Sequence, residues 1–144
     1  GPEGFGQPAT LNALAVVRDA SQMQKYISND PEMWAPGGHG DSYRNFLAEI
    51  KRTGLEPSYY HPTLFKVHDN LLMIMINHEY KVRADDAAAV SAATVRARSE
   101  ILRIVAALNK LGGVWEGMRV AAASTGCIPS RRRTSRPEDG STTR

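Results

Sequence analysis

The sequence predicts an all-α fold, a compact bundle of four to five helices with a flexible N-terminal lead-in and a disordered basic C-terminal tail. Three observations predict it. Apolar residues recur at three- and four-residue steps in several segments, the mark of a helix that buries one stripe. Residues 87–111 run without a proline in a heptad-like pattern that ends at Gly112-Gly113. Hydrophobic residues make up 42% of the 144 residues, enough to build the core of one ordinary domain. The alternative is an α+β fold with a β-hairpin at 63–77. The expected organisation is a lead-in over 1–9, a helical domain over 10–123 and a tail over 124–144. The leading Gly1-Pro2 is also what a protease-cut tag leaves behind.

Taken in order, Thr10 is suited to cap a helix over residues 11–27, whose Leu14, Val17, Ala20, Met23 and Ile27 share a face. Asn29-Asp30-Pro31 ends it, because proline disfavours a helical residue before it, and "PEMWAPGGHG" follows as a loop. Asp41-Ser42 caps a second helix with Tyr43, Phe46, Leu47 and Ile50 on one face, a basic last turn at Lys51-Arg52 and a stop at Gly54. Residues 63–82 admit two patterns. Leu64, Val67, Leu71, Ile74 and His78 fit a helix; the apolar run 71–76 after Asp69-Asn70 fits the second strand of a hairpin. Leucine and methionine, together with Pro62 at a first-turn position, favour the helix. The fourth helix is the clearest, with Val90, Thr94, Ala97, Ile101, Ile104, Leu108 and Leu111 as a seam broad enough for a bundle or a subunit interface. Residues 114–123 make a short fifth helix.

The charge is uneven. The net +3 resides in the tail, where Arg131, Arg132, Arg133, Arg136 and Arg144 stand against Glu138 and Asp139; the 13 basic and 13 acidic side chains of residues 1–125 cancel. A body-wide basic footprint for nucleic acid is therefore not implied, whereas "SRRRTSR" can neutralise phosphates in a salt-sensitive way. Arg-Arg-x-Ser/Thr occurs twice, ending at Thr134 and Ser135, so phosphorylation can switch that charge off. The layout of a helical body with a short arginine tail resembles that of many virus-encoded and bacterial packaging or adaptor proteins, a likeness of arrangement alone.

Other candidates have weaker patterns. His39, Asp41 and Ser42 could serve a small hydrolase, but the G-x-S-x-G elbow is missing and capping explains Asp41 and Ser42 without chemistry. On a helix His61 and His68 stand two turns apart, too far to share an ion, and Cys127 is the single cysteine. No metal or cofactor is expected. Trp34, Trp115, Tyr59 and Tyr60 are rings of the kind partner interfaces favour, with core packing the better role for Trp115. The expected function is a non-enzymatic binding module that self-associates through Val90, Ala97, Ile101, Ile104 and Leu108 and contacts RNA or DNA through Arg131, Arg132, Arg133 and Arg136. The alternatives are a pure protein-protein interaction domain with an inert tail and the small hydrolase. The longest apolar run, six residues, is far below the roughly 20 that cross a bilayer. No membrane partner is expected, and the lone cysteine without a secretory leader points to an intracellular setting, cytoplasmic or nuclear.

Overall fold

In residues 11–17 burial alternates along the chain: Leu11, Ala13, Ala15 and Val17 are buried, whereas Asn12 is exposed and Leu14 and Val16 are half-buried. A period of two belongs to a strand, and the segment is one. The computed structural model describes residues 9–28, 41–79, 82–83, 85–123 and 128–129. Within them are six strands, β1 (Ala9–Thr10), β2 (Ala13–Val16), β3 (Thr63–His68), β4 (Leu71–Met75), β5 (Arg119–Ala123) and β6 (Ile128–Pro129), and two α-helices, α1 (Ser42–Arg52) and α2 (Ala87–Leu111).

Four strands form one sheet in the order β3-β4-β2-β5, antiparallel throughout, and β1 pairs with β6 in a separate two-stranded ribbon. In chain order the sheet and helices run β2-α1-β3-β4-α2-β5, the split βαβ arrangement in which the third strand enters between the first two. The bundle of four to five helices is therefore overturned: among the described residues there are two α-helices and a four-stranded antiparallel sheet.

Three segments account for the difference. Residues 11–27 form β2 and two short 3₁₀ turns, Ala20–Gln22 and Gln24–Tyr26, and Thr10 belongs to β1 instead of capping a helix. The run Leu-Asn-Ala-Leu-Ala-Val-Val is apolar on both faces of a strand, so helical spacing arises in it by coincidence, and pairing on both sides overrides the helix preference of alanine and leucine. Residues 63–75 form the β3-β4 hairpin of the alternative reading, turning at Asp69-Asn70, where Asp69 has φ +49°. Aspartate tolerates that left-handed conformation better than most residues. Residues 119–123 form an edge strand after the 3₁₀ turn Gly113–Trp115.

Both α-helices lie where their local signals put them. Phe46 and Ile50 of α1 are buried, and its exit passes through Gly54 at φ +91°. Asp86 caps α2, its carboxylate accepting from the Ala89 amide at 3.0 Å. Ala93, Ala97, Ile101, Ile104 and Leu108 of α2 pack against the same sheet face as α1, where Ala13, Ala15, Leu64, Leu72 and Ile74 are buried. The two helices cover one face of the sheet only. No helix among the described residues is long and apolar enough to cross a membrane.

Candidate functional site

The registers fix which parts of the chain meet. Thr63 is paired with Met75, Ala13 with Ile74 and Ala13 with Ala123, so the entries to β2 and β3 and the exits of β4 and β5 lie at one end of the sheet. Residues 58–61 lead into β3 at that end, His78 follows β4 there, and the β1-β6 ribbon continues beyond it. Asn77 ties the ribbon side to the β4 side: its amide accepts from the Leu11 N–H at 3.0 Å and donates to the Leu11 carbonyl at 2.9 Å.

Five rings gather there. Tyr59 stacks on His78 with centroids 3.9 Å apart and planes 25° from parallel, Tyr60 lies 4.2 Å from His61, and His61 lies 4.3 Å from Tyr43 in the first turn of α1. Tyr59 also meets Tyr60 and His61 at 5.9 and 6.0 Å. The turn carrying three of these rings is held by Glu100 of α2, which accepts from the Ser58 amide at 2.6 Å and from its hydroxyl at 2.7 Å; that hydroxyl in turn accepts from the His78 amide at 3.1 Å. A carboxylate that accepts both donors of one residue fixes the turn, so the rings are held in place before any ligand arrives. Tyr60 is 67% exposed, which leaves a wide aromatic face to solvent. Burial lowers the pKa of His78, so its ring stays neutral at neutral pH.

That shift gives an expected result. A histidine whose folded pKa is depressed favours its neutral form in the folded state, so its contribution to stability is complete above the ordinary value of 6.5 and is lost as pH falls below it. The melting temperature should therefore drop more steeply between pH 7 and 5 in the native protein than in His78→Gln, as thermal unfolding by circular dichroism can measure. Equal slopes would mean that burial of His78 does not govern this range.

Several arginines of the body stand beside carboxylates. Arg18 pairs with Glu116 at 2.8 Å, Arg52 with Glu49 at 2.8 Å, Arg83 with Asp85 at 3.0 Å, Arg96 with Glu79 at 3.1 Å and Arg44 with Asp41 at 3.6 Å. Arg44 also lies over the Tyr43 ring at 5.7 Å, at the margin of the ring cluster.

The residues singled out from sequence fall into three groups. Ala97, Ile101, Ile104 and Leu108 are in the chain's own core and Val90 packs at its margin half-buried, so the α2 seam faces the chain's own sheet. Ser42 is 2% exposed, and its hydroxyl shares a 3.0 Å hydrogen bond with that of Ser28, while Asp41 faces solvent beside Arg44 and makes no side-chain cap. Arg131, Arg132, Arg133, Thr134, Ser135 and Arg136, with His39, Trp34 and the 31–40 loop, lie outside the described residues. His68 ends β3 beside Asp69 at 3.1 Å, away from His61, and no group of three metal-ligating side chains is close enough to hold an ion among the described residues. Trp115 is a core residue, while Tyr59 and Tyr60 are in the cluster. Tyr43, His61 and His78 were not expected as its members; the one local signal was the unusual Ser-Tyr-Tyr-His-Pro turn.

No protein-family model, curated protein or solved structure matches this chain. Its functional reading therefore rests on the geometry of its own residues.

Proposed function

We propose that the chain is a non-enzymatic binding module for single-stranded nucleic acid, RNA or DNA, in which Arg131, Arg132, Arg133 and Arg136 neutralise phosphates and the Tyr-His cluster stacks unpaired bases. One observation carries the reading: the ring cluster, with Tyr60 exposed and the other four rings half-buried, stands at the end of the sheet from which the chain runs on, beyond Pro129, into its arginines. Single strands are bound by this combination, since every base has a π-face and every nucleotide a charge. The ring edge and the ribbon edge are about three strand spacings apart, ~14 Å. Four residues, the separation in sequence between Pro129 and Arg133, can span at most about that distance. The equal numbers of basic and acidic side chains in residues 1–125 favour the same division of labour, with affinity supplied by the tail.

The test is fluorescence anisotropy with a labelled single-stranded RNA 20-mer at several salt concentrations. About four phosphate contacts on a single strand correspond to a log-log salt slope near −3. Replacing Arg131, Arg132, Arg133 and Arg136 together by alanine is expected to abolish that binding while leaving the far-UV circular dichroism unchanged. Tyr60→Ala, which removes one stacking face worth about 1–3 kcal/mol, is expected to weaken binding roughly 5- to 150-fold with the salt slope unaltered. Binding that survives the four arginine changes removes the tail from the function, and binding indifferent to Tyr60→Ala removes the rings. No binding at 50 mM salt would leave the chain a protein-interaction module.

A further inference from the structure

The sheet face away from the helices is apolar. Cross-strand partners point to the same side, so the registers generate its rows: Phe65, Met73, Leu14 and Ala122 form one row across all four strands, and His68, Leu71, Val16 and Arg119 form the next. Thr63 and Met75 begin a third. Polar and charged groups stand at the edges of this face, and its centre is made of leucine, valine and methionine. Phe65, Met73, Leu14, Leu71, Val16 and Met75 are all partly exposed, and Val67 at the β3 bulge is 53% exposed. Beside the small Ala122 the surface dips into a groove of about 300 Å³ lined by Asn12, Ala13, Leu14, Met73, Ala122 and Ala123.

We propose that this face is the contact surface of a homodimer, covered by the same face of a second copy. Three features favour a second copy over an unrelated partner. The centre of the face has no charge for a charged partner to answer, and a sheet of identical twist is the shape that packs on it. The face is also self-complementary. A two-fold axis along the strands lays β5 of the second copy over β3 and its β2 over β4, as an isologous contact requires. Phe65 then meets Ala122 of the second copy beside the groove, a large side chain against a small one, while Met73 meets Leu14, Leu71 meets Val16, and His68 meets Arg119 at the two edges. The area is sufficient as well. Two rows across four strands and the half row of Thr63 and Met75 cover about 330 Å² per copy from strand spacing and rise. The pair with its rim of Val67 and Asn12 reaches about 1,000 Å², the lower limit for a specific interface. An interface at that limit makes a weak, reversible dimer. It does not use the ring cluster, whose residues are not among the rows of the face.

Sedimentation velocity from 1 to 500 µM tests this on the full chain. The native protein should pass from monomer to dimer across that range, and Met73→Glu and Leu14→Lys should each be monomeric throughout with native circular dichroism. Because Met73 of one copy faces Leu14 of the other, mixing the two variants should restore a dimer through one Glu-Lys pair. Should either variant fail to fold, Phe65→Ala, which removes only a half-exposed ring, should weaken dimerisation more than tenfold. A native chain that stays monomeric at 500 µM overturns the proposal. So does a dimer that persists in Met73→Glu, or the absence of a mixed dimer between two folded variants.

Discussion

Trp115→Ala is expected to lower the unfolding free energy by about 3–5 kcal/mol, the usual cost of truncating a fully buried tryptophan. Single domains are stable by only about 5–15 kcal/mol, so this one change removes a large share of the total. Trp115 is 1% exposed, lies 4.9 Å from the Tyr26 ring and stacks on Phe46 at 5.6 Å, and so joins the turn after α2 to α1 and to the 3₁₀ segment after β2. Its indole N–H donates to the Glu49 carboxylate at 3.0 Å, and Arg52 donates to the same group at 2.8 Å. Burial pushes the Glu49 pKa up, but the hydrogen bonds from Arg52 and Trp115, with the charges of Arg52 and Lys25, outweigh it and hold the carboxyl below its ordinary value. A depressed carboxyl contributes stability that is complete above the ordinary 4.5 and is lost as pH falls through the lower folded value. Trp115→Phe separates the two effects, since it keeps a ring but no donor. It should be less damaging than alanine at pH 7 and should flatten the acid limb of the stability curve. Urea unfolding followed by circular dichroism reads both, and a loss below about 1 kcal/mol in Trp115→Ala would show that the surrounding rings close over the cavity.

The elements legible in the sequence are those whose signals are local. In α2 the Asp86 cap, the seam and the positive-φ Gly112 agree within one continuous stretch, and in α1 the buried Phe46 and Ile50 agree with the basic last turn and Gly54. Strands β2 and β5 have no such agreement. β2 is apolar on both faces because helices cover one and the other is the open face, which erases the alternation that marks a strand. β5, Arg-Val-Ala-Ala-Ala, owes its conformation to pairing with β2 across more than 100 residues of sequence. Only the Asp69-Asn70 turn gave the hairpin a local mark, and the helix preference of leucine and methionine outweighed it. The site was legible in the same uneven way. Tyr59 and Tyr60 stand out as adjacent surface rings, but Tyr43 and His78 join them only after α1 and the β3-β4 hairpin are folded together. Fold and site both depend on the same long-range pairings.

Asn77 is the side chain on which that sheet end turns. It is fully buried, and so is Leu11, whose N–H and C=O both end on the Asn77 amide. The amide takes the place of a peptide group, extending the contact between β2 and β4 one step beyond the last ladder pair. Asn77→Ala leaves a donor and an acceptor buried without partners. At about 1–3 kcal/mol per group the expected loss is about 2–6 kcal/mol. Asn77→Asp keeps an acceptor for the Leu11 N–H but sets a carboxylate against the Leu11 carbonyl in a dry site. Its pKa should rise. Because the protonated acid can again donate, stability relative to the native protein should recover as pH falls, the reverse of the trend expected for most carboxylates. Native-state hydrogen exchange locates the damage. The Leu11 amide should lose protection first, and the β1-β6 ribbon should open before α2 does, because α2 is held by its own ladder and by the core. Under the proposed function, in which the arginines beyond Pro129 contact RNA, Asn77→Ala should also weaken that binding more than the thermal destabilisation explains. If protection at Leu11 is unchanged, a water has replaced the amide, and the ribbon is held by its own pairing instead.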